Sequence, residues 1–483
     1  MSYNLINSTD SMTAFVNNSD YTMNEIEGGI CAPKGFKASG IHCGIRATRT
    51  KRDLALIVSD VEASAAGAFT RNIVKGAPVI VSQKHLEDGY AQAIICNSGN
   101  ANTCNANGIE IANGMCELVN KKLGIPFDNV LVASTGVIGQ EMSLEPMING
   151  MDELADNLFD DPSASKMAAE AIMTTDTRMK EIAIEFDIDG VACRIGAIAK
   201  GSGMINPNMA TMLCFVTSDV NIMPELLQKA VAEIIPETFN MVSVDGDTST
   251  NDSVCVLANG MAGNKRISSR GYEYDVFFEA LRAVMTYISK NLASDGEGAT
   301  KFIECCVKGA ASTEIARTLA KSVISSSLVK AAMFGADANW GRVLCAMGYG
   351  GGYIDLNRVC VDFASRKGSI RVCERGYGIP FSEELAKEIL SENDKLEKEY
   401  NSLNAGFDKF LNDFIEIGLD KTALLKQLPH TCMHCKHFNG YDRFMKLKCD
   451  LGEGSCSWEW KGREKKNDNN GTDKPADGSG NEQ

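Results

Sequence analysis

Residues 199–219 of the 483-residue chain read AKGSGMINPNMATMLCFVTSD: a charge-free, turn-rich loop from 201 to 210 runs into a buried apolar strand, and Thr211 stands at the join. At such a place the Thr hydroxyl can attack the carbonyl of the preceding Ala210, shift the chain from amide to ester and let water complete the cut. The new chain would begin with Thr211. Its freed α-amine has an ordinary pKa of about 7.7–8.0 and reaches its own hydroxyl, so nucleophile and general base share one residue. No histidine is then required. Of the five histidines, His430, His434 and His437 fall in a C-terminal cluster, leaving His42 and His85 in the body. By spacing alone a Thr entering a strand is ordinarily only that, and a Ser-His-Asp triad on either body histidine stays formally open.

The elements around this join alternate between short apolar strands and amphipathic helices. LALIVSD (54–60), PVIVS (78–82) and QAIIC (92–96) read as strands, followed by a helix near 106–123. NVLVAS (129–134) reads as a strand ending in a turn of Ser, Thr and Gly. In IAIEFDIDGVACRIGAIAK, Asp189-Gly190 supplies the positive φ angles of a two-residue turn, predicting a hairpin of 182–188 with 191–199. MLCFVTSD (212–219) is a core strand. Helices follow at about 223–235 and 276–291, the second capped by Asp275 and burying Phe277, Leu281, Val284 and Ile288.

Several segments resemble the ornithine acetyltransferase family, the bifunctional arginine-biosynthesis proteins that cut themselves before a Thr. They are GGICAPKGFKASGIHCGIR (28–46), NSGNANTCN (97–105), ASTGVIGQ (133–140), TTDT (174–177), AKGSGMINPNMATMLCF (199–215), DGDTSTND (245–252), SDGEGATK (294–301), GADANWGR (335–342) and VCERGYGIPF (372–381). The resemblance implies a layered α/β/β/α sandwich of the self-cleaving type. It also implies acetyl transfer from N-acetylornithine to glutamate with no required cofactor, leaving acetyl-CoA open as a second donor. Position by position, it makes Thr211 the nucleophile, Ala210–Thr211 the cleaved bond, and Thr135 with Gly136 the oxyanion hole; Thr177, Lys200, Thr211 and Glu297 bind substrate. Charge suits the last role, because a Lys pairs with an α-carboxylate and a Glu with an ammonium. NSGNANTCN and DGDTSTND, rich in side chains that bond their own backbone, read as structural shoulders of the site. Processing would give an alpha chain, 28–210 after an N-terminal extension of 1–27, and a beta chain whose catalytic part is 211–392. Two of each would assemble into a heterotetramer.

The C-terminus departs from the family, which ends in a short tail that closes over the substrate. Here a charged helical segment (393–429) precedes a Cys/His cluster (430–460) and a Gly/Asn/Asp/Lys tail (461–483) that reads as disordered. Cys432, Cys435, Cys449 and Cys456 make a four-thiolate set suited to tetrahedral zinc, with an iron–sulfur cluster or unligated thiols as the other readings. No metal is expected in the catalytic core.

Composition bounds the partners. Apolar residues are 44% and charged residues 23%, so the body is globular, and a net charge of −15 disfavours a phosphate backbone. A notable charge-free run, 201–218, is broken by Gly, Ser, Asn and Pro, and nothing approaches 18 continuous apolar residues, so no membrane span is expected. The seventeen cysteines sit largely in apolar segments (Cys96, Cys214, Cys255) and read as reduced core thiols, and a cytoplasmic location follows. Two rivals to the acetyltransferase remain: an N-terminal-nucleophile aminopeptidase or amidase on the same scaffold, and an inactive scaffold with a metal-binding tail. The extension generates a test of its own. Deleting 429–483 is expected to leave the partition between acetate release and acetylglutamate unchanged; a sharp rise in acetate, reproduced by a chelator on the full chain, would make the extension a metal-stapled lid.

Overall fold

Asp189 and Gly190 take φ values of 52° and 81°, so β6 (Lys180–Ile188) turns directly into β7 (Val191–Lys200) with Ile188 facing Val191, as the Asp-Gly pair predicts. The computed structural model describes residues 21–47, 51–205 and 212–391, and the backbone of 438–441 and 447–449. Strand β7 is one member of a nine-stranded mixed sheet. Its order is β1 (Met23–Glu25), β6, β7, β8 (Leu213–Ser218), β9 (Ser253–Ala258), β3 (Leu54–Phe69), β4 (Tyr90–Asn100), β5 (Val130–Val137), with β2 (Phe36–Ile41) paired to β3.

Strand β3 belongs to both halves of this sheet. Its first part pairs β2 and β4 and its last part pairs β9, with an irregularity between Val58 and Ala63 where the pairing to β4 slips. Alternation along the strands then sorts side chains into three apolar layers. Cys214, Val216, Val254 and Val256 pack with α5 (Pro224–Ile234) and α6 (Tyr272–Ser294). Leu213, Phe215, Cys255 and Leu257 turn the other way and meet Ile57, Ile94, Cys96 and Leu131. The alanines of α4 (Pro162–Ile172) join that middle layer. Leu56, Ile95 and Val132 face outward against α2 (Gly108–Leu123) and α3 (Glu145–Asp156). The result is a mixed α/β sandwich.

Two local expectations fail. PVIVS is not a strand but lies in α1 (Ala77–His85): Pro78 sits in the first turn, where its missing N–H and fixed φ suit a helix. A five-residue apolar run carries no period that separates a strand from a buried helix, and Ser82 settles it by donating to Val132 O at 2.7 Å. Asp275 does not cap α6, which starts three residues earlier at Tyr272 after Gly271. Phe277, Leu281, Val284 and Ile288 are nonetheless all buried on one face.

Residues beyond α6 build a smaller core from α7 (Thr313–Ser325), α8 (Ser327–Phe334), α9 (Trp340–Tyr349), α10 (Glu383–Leu390) and an antiparallel sheet of β10 (Val361–Ser365), β11 (Gly368–Glu374) and β12 (Tyr377–Gly378). Lys301 donates to Met333 O at 2.8 Å and Leu390 O at 2.5 Å, capping α8 and α10 together. This compact unit ends at Asp394. The second unit shows one antiparallel pair, β13 (Phe438–Tyr441) with β14 (Leu447–Cys449); the expected helix of 393–429 and the tail of 461–483 lie outside the described residues. Among the described residues every cysteine is a free thiol, and no helix is long and apolar enough to cross a membrane. Phe215, fully buried between the two sheet halves on the strand that Thr211 precedes, is the sharpest test of this packing. Phe215→Ala is expected to destabilise the fold by about 3–5 kcal/mol, read as a lowered urea midpoint.

Candidate active site

Strands β4 and β5 run parallel, with Ser98 beside Thr135 and Gly99 beside Gly136. Gly136 has φ of 136°, and a Cβ there would lie 2.3 Å from the Gly99 carbonyl carbon. Only glycine fits, which leaves the Gly136 backbone exposed at the strand end. Thr135 is buried, and its Oγ1 accepts a hydrogen bond from Lys200 Nζ at 3.3 Å. A hydroxyl that accepts from an ammonium keeps its own hydrogen for another acceptor. Lys200 ends β7 directly across from Leu213, the first residue of β8. Ala210 and Thr211 lie outside the described residues, two positions and one position before Met212.

Beneath this point lies a buried charge network. Lys180 is 2% exposed and donates to Asp176 Oδ1 at 2.6 Å and to Asp295 Oδ2 at 2.7 Å. Asp176 also accepts from the backbone N–H groups of Gly201 at 2.6 Å and Thr174 at 3.0 Å. Burial pushes the Asp176 carboxyl up, but the Lys200 and Lys180 charges and the Gly201 N–H outweigh it and hold its pKa at about 2. Lys200 is 2% exposed; burial lowers its pKa, and Asp176 opposes that shift. Asp295 receives the Thr177 hydroxyl and, at 3.1 Å, the Thr177 N–H. Its own carbonyl accepts from Ser202 Oγ at 2.8 Å, and Ser202 O accepts from Glu297 N at 2.9 Å. Thr177, Lys200 and Glu297, far apart in sequence, are therefore all tied to the loop that leads toward Thr211.

The DGDTSTND loop closes the other side. Asn251 Nδ2 donates to Ser134 O at 3.0 Å and Ala101 O at 2.6 Å, and its Oδ1 accepts from Thr103 Oγ1 at 2.6 Å. It thereby fastens the entrance of β9 to the end of β5 and to the NSGNANTCN loop. The next residue, Asp252, accepts from Met212 N at 2.9 Å.

The predicted residues divide by surroundings. Thr135, Gly136 and Lys200 converge directly, whereas Thr177 and Glu297 stand on the exposed side of the network. Glu297 lines a cleft of about 490 Å³ with Val244, Lys301, Lys330 and Phe334, and neither Thr135 nor Lys200 is among its lining residues. Sequence reasoning passed over Asp176, Lys180, Asp295, Asn251 and Asp252. Four of the five sit inside segments that carried the family resemblance, and their acidic and amide types were the available signal. His85 is a structural residue, its buried Nδ1 2.7 Å from Val130 O. Among the described residues no His/Cys/Asp/Glu group is placed to hold a metal; Cys432, Cys435 and Cys456 lie outside them, and of Cys449 only the backbone is described.

Residues 37–406 match the ArgJ family. The chain belongs to that family. Among its relatives, the arginine biosynthesis bifunctional protein ArgJ of Caldanaerobacter subterraneus subsp. tengcongensis is 47% identical over 373 residues, covering 77% of this chain and 92% of that protein. ArgJ 1 of Clostridium acetobutylicum is 48% identical over 374 residues, 77% of this chain and 91% of that protein. A crystal structure of ArgJ from Bacillus halodurans is 37% identical and covers 40% of this chain and 100% of that one, with a TM-score of 0.38. The ArgJ-family chain is an enzyme, an acetyltransferase of arginine biosynthesis. Its charge network has a measurable signature. A carboxyl held at about 2 when folded, below the ordinary value of about 3.9 when unfolded, gives stability that is full above about pH 4 and is lost as pH falls toward 2. The Asp176 share is about 2 kcal/mol. Asp176→Asn should be less stable at neutral pH and lose less of its stability between pH 5 and pH 2 than the wild type, which chemical denaturation at each pH checks.

Proposed function

We propose that this ArgJ-family enzyme cuts itself at Ala210–Thr211 and then moves an acetyl group from N-acetylornithine to glutamate through an acetyl-Thr211 intermediate. The observation that carries the reading is the Lys200–Thr135 contact, which sets a buried ammonium against one hydroxyl at the glycine-lined end of β5. With its oxygen accepting from Lys200, the Thr135 hydroxyl keeps its hydrogen for another acceptor, and the next residue is the exposed Gly136. Together they are suited to an oxyanion, and losing one such donor typically costs about 10²–10³ in rate.

In the transfer, the free amine of Thr211 takes the proton of its own hydroxyl, which attacks the acetyl carbonyl. Ornithine leaves with a proton, and glutamate attacks the ester by the reverse path. An amide replaces an amide, so no energy cofactor is needed and the site must chiefly exclude water from the acyl-enzyme. Glu297, on the cleft wall, is suited to the substrate ammonium and Thr177 to positioning beside it. Lys200 is assigned a different role from the one its charge first suggested: its burial under Thr135 fits supporting the oxyanion hole rather than meeting a substrate carboxylate from solvent. Acetyl-CoA serves as a second acetyl donor in this reading, and the alpha and beta chains pair as a heterotetramer.

Intact-mass measurement on purified wild type should find chains of 210 and 273 residues, and Thr211→Ala should remain a single uncut chain. With N-acetylornithine and no glutamate, Thr211 should gain one acetyl group, and initial rates with both substrates should give parallel lines. An uncut, fully active wild type would sink the mechanism.

A further inference from the structure

Arg46 lies in the turn that follows β2, and its backbone is fixed before its side chain reaches anything. The fully buried carboxylate of Asp53 accepts from Cys43 N at 2.7 Å, Gly44 N at 3.3 Å and Arg46 N at 2.9 Å. The backbone carbonyl of Asp53 accepts from Ser98 N at 2.9 Å. One residue therefore holds both the turn and the end of β4. The half-buried Arg46 side chain returns to the same place: its Nε donates to Ser98 O at 3.4 Å, and its Nη2 donates to Met173 O. Ser98 is thus bonded through both of its backbone groups, and it pairs with Thr135 across the parallel strands. The stem of the side chain lies against Gly99. A Cβ on Gly99 would fall 2.9 Å from Arg46 Cγ, just as one on Gly136 would fall 2.3 Å from the Gly99 carbonyl carbon. Arg46, Gly99 and Gly136 are stacked with no room for a methyl group between them.

The second donor of the guanidinium enters the buried charge network. The peptide unit between Met173 and Thr174 gives its oxygen to Arg46 and its N–H to Asp176 Oδ2, the latter at 3.0 Å. Asp176 accepts from Gly201 N at 2.6 Å, and Lys200, the residue before Gly201, donates to Thr135 Oγ1 at 3.3 Å. From Thr135 the strand pairing leads back to Ser98, and from Ser98 to Arg46. These contacts form a closed ring in which the guanidinium spans the gap between β4 and the TTDT loop. A guanidinium suits that place because its donors form a rigid planar fork, whereas an ammonium is a point charge on a flexible stem and does not fix two carbonyls in two directions. Burial works against the Arg46 charge, and the Asp53 and Asp176 carboxylates sustain it.

We propose that Arg46 is a positioning residue for acetyl transfer: by bridging Ser98 O and Met173 O it fixes the strand end against which Thr135 and Gly136 are placed. The inference rests on the reading of Thr135 and Gly136 as an oxyanion hole and names the residue that holds that hole in register. Arg46 itself touches no substrate in this role. Donors stabilise an oxyanion only when they are held where the charge develops, so the fork acts on the rate through the geometry of two residues it does not bond.

The test is a double-mutant cycle on the full-length chain. Ornithine release from N-acetylornithine in the presence of glutamate gives the rate, thermal melting checks folding, and intact mass checks chain cutting. Arg46→Lys keeps the charge and loses the fork. A displacement of about 1 Å at such a site costs on the order of 10²-fold, so kcat should fall by about that factor. KM for N-acetylornithine should stay within about threefold, because an interaction made only in the transition state lowers kcat and kcat/KM equally. Thr135→Ala should cost about 10²–10³-fold by itself. Adding Arg46→Lys to it should cost less than about threefold more, because residues that act as a unit do not add. Losses that multiply in the double variant overturn the proposal and leave the oxyanion hole standing, as does an Arg46→Lys chain within about threefold of the wild type. An Arg46→Lys chain that folds but stays uncut also overturns it, by placing the residue in cleavage instead of transfer. Should Arg46→Lys melt well below the wild type, Arg46→Gln enters the same cycle; unfolding of both makes Arg46 a structural residue and overturns the proposal. A Thr135→Ala chain as fast as the wild type removes the oxyanion-hole reading and this inference with it.

Discussion

Keeping a lysine ammonium dry at the end of β7 is the constraint on which the site depends. Lys200 is 2% exposed, and its described polar contact is a single hydroxyl, that of Thr135. An isolated charge in that position would be too costly to hold. The second buried lysine, Lys180, and the carboxylates of Asp176 and Asp295 set the surrounding field, with Asp176 acting on both lysines. Burial pushes the Asp252 carboxyl up, and Asp176 and Asp295 are the carboxylates that Lys180 bonds directly. The loops TTDT and SDGEG are thus held together by charge, and residues 200–205 take their path from that charge.

Sequence and structure agree where a local rule dominates. Asp189-Gly190 dictates its own turn, and the strands of QAIIC and MLCFVTSD are apolar on both faces because both faces are covered. They part where a residue's surroundings decide. Pro78 and Ser82 make PVIVS a helix through a bond to β5 that no window of five residues contains. Likewise, the types of Thr135, Gly136 and Lys200 were legible as candidates, but the contact of Lys200 with Thr135 joins β7 to β5 across 65 residues of sequence, a long-range property. Asp176 and Asp295 escaped notice because a solvated Asp and a buried one are written with the same letter.

The smaller core follows a different logic. Cys305 and Cys306 lie outside any strand, one half-buried and one exposed, and Lys301 fastens this region through carbonyl oxygens instead of apolar contact. Lys321 and Lys330 do the same from α7 and α8, donating to the carbonyls of Val242 and Val244. Burial lowers the Lys321 pKa to about 7, with Lys330 adding to the effect. Cations thus fix the backbone that leads into DGDTSTND, so the loop holding Asp252 is braced from both cores.

Strand β8 is interior: it pairs β7 on one side and β9 on the other, and all six of its residues are buried. If a chain end is created two residues before such a strand, history acquires a direction. The sheet must already exist when the bond breaks, because the strand finds its place as the middle of a continuous chain. Afterwards the same sheet holds the two pieces by contacts that neither piece could search for alone. The mature protein would then resemble a riveted joint more than a folded one: durable while intact, and without a route back once taken apart.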